Sequence, residues 1–194
     1  MRPDAATLRL AVFPRSNLLT NVLLVIAGTG FVALTAQVSI SLPFTPVPIT
    51  GQTFGVLLVG TSLGALLGLA SLGLYLFVGT LGAPVYAHHE SGWDIIKGPT
   101  GGYIIGFMLA AALAGFLAQR RWDRHFNSAV AAMLSGNVVI YLVALPWLAA
   151  KLDTGLEDTL EAGLYPFVVG DLLKLYLAGA LLPAAWGLVK RFKD

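Results

Sequence analysis

Asp171 and Lys174 stand three residues apart in a stretch, Tyr165 to Val189, that carries no other fully charged side chain. On an α-helix that spacing places both on one face. A charge at membrane depth is costly, so it either pairs or lines a polar cavity. Two chemistries fit the pair. Its members satisfy each other and fix their helix among its neighbours, or they act separately on a solute. In the second case Lys174 receives a carboxylate and Asp171 accepts hydrogen bonds from N–H groups. A small acid with an apolar body and a urea- or amide-like head suits that layout. Ala178, four residues beyond Lys174, keeps the face narrow and leaves room for such a solute.

Other polar side chains can converge on the pair. Thr45 and Gln52 come from Pro43-Phe44-Thr45-Pro46-Val47-Pro48-Ile49-Thr50-Gly51-Gln52-Thr53. Three prolines there remove backbone donors and push the preceding residues towards extended geometry, so the stretch is not helical. It reads as a stiff cap, with Phe44, Thr45 and Gln52 as contacts and Gly51 letting the chain turn into the next helix. Thr100 and Tyr103 come from Gly98-Pro99-Thr100-Gly101-Gly102-Tyr103, where Thr100 also suits a helix cap. Asn137 and Tyr141 lie four apart, with Trp147 beyond them as an interfacial anchor. His88, His89 and Glu90 are consecutive, share no single face and have no second ligand cluster, so no metal site is expected. Nor is there a Gly-x-x-x-x-Gly-Lys-Ser/Thr loop for ATP or a Ser-His pair in catalytic context. The chain is expected to be no enzyme, to need no cofactor and to bind no nucleic acid.

The elements that must hold these residues follow from hydropathy. The 194 residues are 57% hydrophobic and 11% charged, with a mean hydropathy of +0.79. A soluble domain carries roughly 25% charged residues, so most of this surface faces lipid. With no cysteine, disulfides and thiolate chemistry are excluded. At about 20 apolar residues per crossing, the expected architecture is all-α and polytopic, with six transmembrane helices in one membrane-embedded substrate-binding domain over residues 1–194. The first runs from Asn17 to Ala36 and is a membrane helix rather than a cleaved leader. Thr53 to Leu81 is too long for one helix and splits near Ser62-Leu63-Gly64 into the second and third. The others are Gly101 to Ala118, Ser128 to Ala149 and Tyr165 to Val189, and polar loops fill Gly82 to Thr100 and Lys151 to Glu161.

With both termini in the cytoplasm, Arg2, Arg9, Arg15, Arg120, Arg121, Arg124, Lys190, Arg191 and Lys193 all fall inside. Lys97 and Lys151 fall outside with Glu90, Asp94, Asp153, Glu157, Asp158 and Glu161. The proline stretch and the His88 loop then flank one outer mouth. Gly102, Gly106, Ala110, Ala114 and Ala118 form a small-residue face, as do Gly60, Gly64 and Gly68; both are expected to pack within the chain. Thr29 and Ala33 repeat the spacing more weakly.

Thr35-Ala36-Gln37 followed by the stretch from Leu42 to Thr53, Gly82-Ala83-Pro84-Val85-Tyr86, Gly98 to Tyr103, and Pro166-Phe167-Val168-Val169-Gly170-Asp171-Leu172-Leu173-Lys174 together resemble the BioY family of biotin-transporter S components. The matches fall in order along most of the chain. The resemblance implies a six-helix membrane subunit that binds biotin from outside in the plasma (inner) membrane. It also implies association with a transmembrane coupling subunit and two ATP-binding-cassette ATPases, with biotin as transported ligand. Asp171 and Lys174 match the family's acidic and basic residues on the last helix, and the two mouth segments match its pocket covers. Biotin's ureido ring would then sit near Asp171 and its carboxylate near Lys174, with Lys97 as a second cation. The sequence departs from the family after Tyr86. A usually Gly-rich loop reads Ala87-His88-His89-Glu90-Ser91-Gly92-Trp93, leaving His88, Trp93 or Lys97 to substitute. The turn at Ser62-Leu63-Gly64 also lacks the family's frequent basic residues. A carrier that works alone, as a facilitator or with Asp171 as its proton site, is the alternative.

Overall fold

The computed structural model describes residues 6–14 and 17–192. Arg2, Arg15 and Lys193, counted above among the inner charges, lie outside the described residues. A short helix α1 (Leu8–Val12) leads into α2 (Leu18–Gln37), whose first turn is closed by Asn17 Oδ1 accepting from the Thr20 amide at 2.8 Å. Side-chain oxygens at that position satisfy an otherwise orphaned helix donor.

The long apolar run divides as its glycines require. α3 (Gln52–Leu63) ends and α4 (Ala65–Thr80) begins at Gly64, whose φ of +90° is strained for any other residue. α5 (Trp93–Lys97) is a single turn, α6 (Gly101–Gln119) and α7 (Phe126–Leu152) form the centre, and α8 (Leu156–Gly163) leads into α9 (Tyr165–Arg191). Two segments expected as loops therefore contain helix: a 3-10 turn at Ala87–His89 and α5 lie within residues 82–100, and α8 lies within 151–161 and beyond. Each is shorter than a membrane crossing, and a search for 20-residue apolar runs averages it away. α8 carries Glu157 and Asp158 in its first turn, where carboxylates favour the helix dipole. α7 passes Pro146 unbroken, so it outruns Ser128 to Ala149 at both ends.

Among the described residues, four helices, α2, α6, α7 and α9, are long and apolar enough to cross a membrane; α3 and α4 are shorter apolar helices. α6 is the central helix, packed against α3, α4 and α7; α2 lies on α3 and α4, and α9 on α7, α3 and α8. The small-residue faces do pack within the chain. A Cβ on Gly60 would lie 2.4 Å from the Ala111 carbonyl oxygen, and one on Gly106 3.1 Å from Ile140. Such close backbone approach is what replaces hydrophobic driving force in lipid. Apolar side chains of α2 (Leu18, Leu23, Leu34) and α9 (Val169, Leu173, Tyr176) point outwards, as a lipid-facing surface demands.

The proline stretch adds one non-helical feature. Ser39–Ile40 (β1) and Ile49–Thr50 (β2) pair antiparallel, Ser39 opposite Thr50, so the prolines form a loop closed at its base. Gly51, expected to supply a turn, has an ordinary φ of −74°. Glycine is needed there for space, since a Cβ would meet the Thr35 carbonyl oxygen at 2.8 Å.

At the opposite end, Asp123 in the turn between α6 and α7 is fully buried and accepts from Trp186 Nε1 at 2.5 Å. The Arg124 guanidinium lies over that indole, 3.3 Å from its centroid. Burial holds the Asp123 carboxyl above its ordinary range, against the opposing pull of Trp186 N–H and Arg124.

Candidate binding site

α9 brings the ionisable pair together as its spacing requires. Lys174 Nζ donates to Asp171 Oδ1 at 3.2 Å, with Asp171 5% exposed. α7 runs antiparallel beside it and offers Tyr141, whose hydroxyl donates to Asp171 Oδ2 at 2.5 Å. The first turn of α3 supplies Thr53, which donates to Asp171 Oδ1 at 3.2 Å and accepts from Lys174 Nζ at 3.0 Å. Three helices thus meet at one charge pair. The hydrogen bonds matter because Coulomb attraction alone rarely offsets the desolvation of two buried charges.

Above the pair lies a narrow cavity with about 30 Å³ of open space. Phe107, Ile140, Tyr103, Phe167 and Val47 give it apolar walls, while Asp171, Lys174, Tyr141 and Thr53 make one polar end. Tyr103 stacks edge-on to Tyr141, which stiffens the wall. A second, more polar cavity with about 180 Å³ of open space lies beside it, lined by Ser41, Thr45, Tyr86, His88 and Glu90 among others. The two share Pro48, Gln52 and Thr100, so those residues form the neck between them.

The expected site residues separate into three groups. Asp171, Lys174, Tyr103, Tyr141, Gln52 and Thr100 line the inner cavity. Thr100 makes no side-chain cap on α6, which leaves its hydroxyl to the cavity. Gln52 is also a strut: it accepts from Thr50 Oγ1 at 3.0 Å and donates to Tyr75 Oη at 2.8 Å. Thr45 lines only the outer cavity and donates to the Ala162 carbonyl at 2.6 Å, tying the proline loop to α8. Phe44 and Lys97 lie outside both linings. Phe44 is 65% exposed, and the exposed Lys97 ammonium sits 5.8 Å from the Trp93 ring centroid. The loop turns Val47 and Pro48 inwards but leaves Phe44 facing out, and α5 leaves Lys97 exposed.

His88 does face the outer cavity. Its ring nitrogens hydrogen-bond to Ser39 Oγ (3.2 Å) and Ser41 Oγ (2.9 Å), linking the two mouth segments. Trp147 donates its indole N–H to the Gly98 carbonyl at 2.9 Å. Thr53 is the residue that sequence reasoning passed over. It lies inside the proline motif, one position beyond Gln52, and points about 100° around the helix from it.

The architecture is that of a multi-pass helical membrane protein holding an apolar-walled cavity with one charged end. The BioY family model matches residues 6–191, and the chain belongs to that family. A probable biotin transporter BioY of Pyrococcus horikoshii is 43% identical over 147 residues, covering 74% of this chain and 84% of its own. The biotin transporter BioY of Thermotoga maritima is 33% identical over 158 residues, covering 81% and 92% respectively. Among solved structures, the S-component for biotin from an ECF-type ABC transporter superposes with a TM-score of 0.77 at 26% identity. That match covers 86% of this chain and 90% of the other.

Proposed function

We propose that this chain is a biotin-binding S component: it captures biotin at the outer face of the cell membrane for uptake energised by partner ATPases. The observation that carries this reading is the Asp171–Lys174 pair at the polar end of an apolar-walled cavity, in a chain of the BioY family. Asp171 accepts from the ureido N–H groups, and Lys174 donates to the carboxylate, so both functions of the ligand meet their opposite. The fused rings lie against Tyr103, Phe107, Phe167 and Ile140, where burial rather than hydrogen bonding supplies affinity. The protein's contribution is binding and reorientation, without covalent chemistry.

In this reading α2, α3, α4, α6, α7 and α9 are six membrane helices, with both termini cytoplasmic and the proline loop outside. Arg9, Arg120, Arg121, Arg124, Lys190 and Arg191 at one end support that orientation. So do Asp153, Glu157, Asp158 and Glu161 at the other. A transmembrane coupling subunit and two ATP-binding-cassette ATPases are the partners, supported by the likeness to an S-component of an ECF-type ABC transporter.

Equilibrium binding to the purified protein tests the reading. Wild type binds biotin, and Lys174→Ala and Asp171→Ala each lose about a hundred-fold in affinity, as expected when one member of a buried hydrogen-bonded pair is removed. Wild type that ignores biotin at micromolar concentrations sinks the functional reading. Variants that bind like wild type sink the site while leaving the function standing. Thermal stability is measured alongside, because the orphaned charge costs stability too. Proton-driven uptake by vesicles holding this chain alone would instead point to a self-sufficient carrier.

A further inference from the structure

Gln52 is buried, yet it lines both cavities and so faces a ligand at the neck. Its amide is fixed from two sides by one-way hydrogen bonds. On one side its backbone N–H donates to Thr50 Oγ1 at 3.2 Å, and the Thr50 proton goes to Gln52 Oε1 at 3.0 Å. On the other, Gln52 Nε2 donates to Tyr75 Oη at 2.8 Å, and Tyr75 Oη donates to the Val85 carbonyl at 3.0 Å. A carbonyl can only accept, so the Tyr75 proton is spent on Val85 and its oxygen can only receive. The two ends of a glutamine amide have nearly the same shape, and this network holds them in one orientation. Tyr75 itself is fully buried, belongs to neither lining, and stacks edge-on against Tyr86.

Nε2 carries two hydrogens and Tyr75 takes one; among the described residues the other has no acceptor. The other hydroxyls of the inner cavity are mostly spent. Thr53 and Tyr141 donate to Asp171, Thr50 to Gln52 and Tyr103 to the Gly163 carbonyl. Thr100 carries a rotating hydroxyl that donates or accepts equally well, so it cannot tell a ligand carbonyl from a ligand N–H. A fixed amide can.

We propose that Tyr75 is a positioning residue: it aims the free Gln52 N–H at the ureido oxygen of biotin. This inference rests on the reading above, which gives Asp171 the ureido N–H groups and leaves the ureido carbonyl to be met. A carbonyl buried without a donor is costly, and Gln52 shares the inner cavity with Asp171. With its nitrogen end held by Tyr75, Gln52 offers a donor and favours a ligand carbonyl. If the amide could turn over, its oxygen would serve a ligand N–H at the same point, and that discrimination would be lost.

The test compares biotin with iminobiotin, in which an imino N–H group replaces the ureido oxygen. Both are titrated against purified wild type, Tyr75→Phe, Gln52→Leu and the double variant. Wild type prefers biotin. Tyr75→Phe removes one hydroxyl, lets the amide turn over, and lowers the ratio of affinities, biotin over iminobiotin, roughly ten-fold, the worth of one hydrogen bond. Gln52→Leu lowers the ratio to a similar degree, and adding Tyr75→Phe to it changes the ratio no further. Thr50→Val releases the other end of the amide and lowers the ratio in the same sense, which serves if Tyr75→Phe does not fold. Lost packing weakens both ligands alike and leaves the ratio unmoved. An unchanged ratio in Tyr75→Phe, or in Thr50→Val in its place, therefore overturns the inference by making Tyr75 merely structural. A further fall when Tyr75→Phe is added to Gln52→Leu also overturns it, because Tyr75 then acts elsewhere. If Gln52→Leu keeps the wild-type ratio, or wild type shows no preference, Gln52 does not read the ureido oxygen and the inference fails with the function intact. Absence of biotin binding by wild type overturns the functional reading itself.

Discussion

The Asp171 carboxylate takes hydrogen bonds from Tyr141, Thr53 and Lys174, which lie on three different helices. Thr53 is the hinge of that set, because a single hydroxyl serves both charges. Thr53→Val keeps the shape and removes the hydroxyl, leaving one contact fewer on each charge. Biotin affinity is expected to fall about ten-fold with a modest drop in melting temperature, and Thr53→Ser to restore most of both. Full affinity in the valine variant would remove Thr53 from the site. At the other end of the molecule, Asp123 makes a prediction about pH. Its folded-state carboxyl lies above the ordinary range because it is buried, so folding favours the protonated form. Its contribution to stability is full below the unfolded value, about pH 4, and is lost as pH rises through the raised folded value. The melting temperature of wild type relative to Asp123→Asn should therefore climb on acidification from neutral pH. A difference that is flat, or that grows towards neutral pH, contradicts the assignment.

α3 is short. Its 12 residues rise about 18 Å, against about 30 Å for the 20 residues of α2. The proline loop leads into its first turn. The loop is pinned at its base by β1 and β2 and on its far side by Thr45 on α8. The inner end of α3 is set by glycine. A Cβ on Gly115 of α6 would lie 2.4 Å from the Ala65 nitrogen and 2.7 Å from the Gly60 carbonyl oxygen, both backbone atoms that cannot rotate away. Gly115→Ala should then cost about 1–3 kcal/mol, seen as a lower melting temperature, and shift α3 enough to weaken biotin binding as well. A variant as stable as wild type would show that α6 and the α3–α4 turn can separate freely.

The whole molecule is organised by two unequal ends, a basic one carrying Arg120, Arg121, Arg124, Lys190 and Arg191 and an acidic one carrying Asp153, Glu157, Asp158 and Glu161. The absence of cysteine makes the orientation directly measurable. Asp158→Cys in intact cells should react with a membrane-impermeant maleimide, and His125→Cys should react only after the membrane is opened. The reverse pattern would invert the topology and move the mouth to the cytoplasmic side.

Hydropathy and charge alone determined the membrane class, the helix order, the break at Gly64 and the pairing of Asp171 with Lys174. Each depends on residues close in sequence, where periodicity and helical geometry act directly. The family motifs marked the proline cover and the neck residues Gln52 and Thr100. The place of Thr53 between the two charges depends instead on how α3 and α9 cross, which no local pattern encodes. The same holds for Phe44 and Lys97, whose types suit a ligand but whose backbones turn them outwards. The charge pair was visible from the first as two residues on one helical face. Only tertiary packing decided what surrounds it, because a buried charge is defined by its partners, and here they include Thr53, more than a hundred positions away, and Tyr141, thirty away.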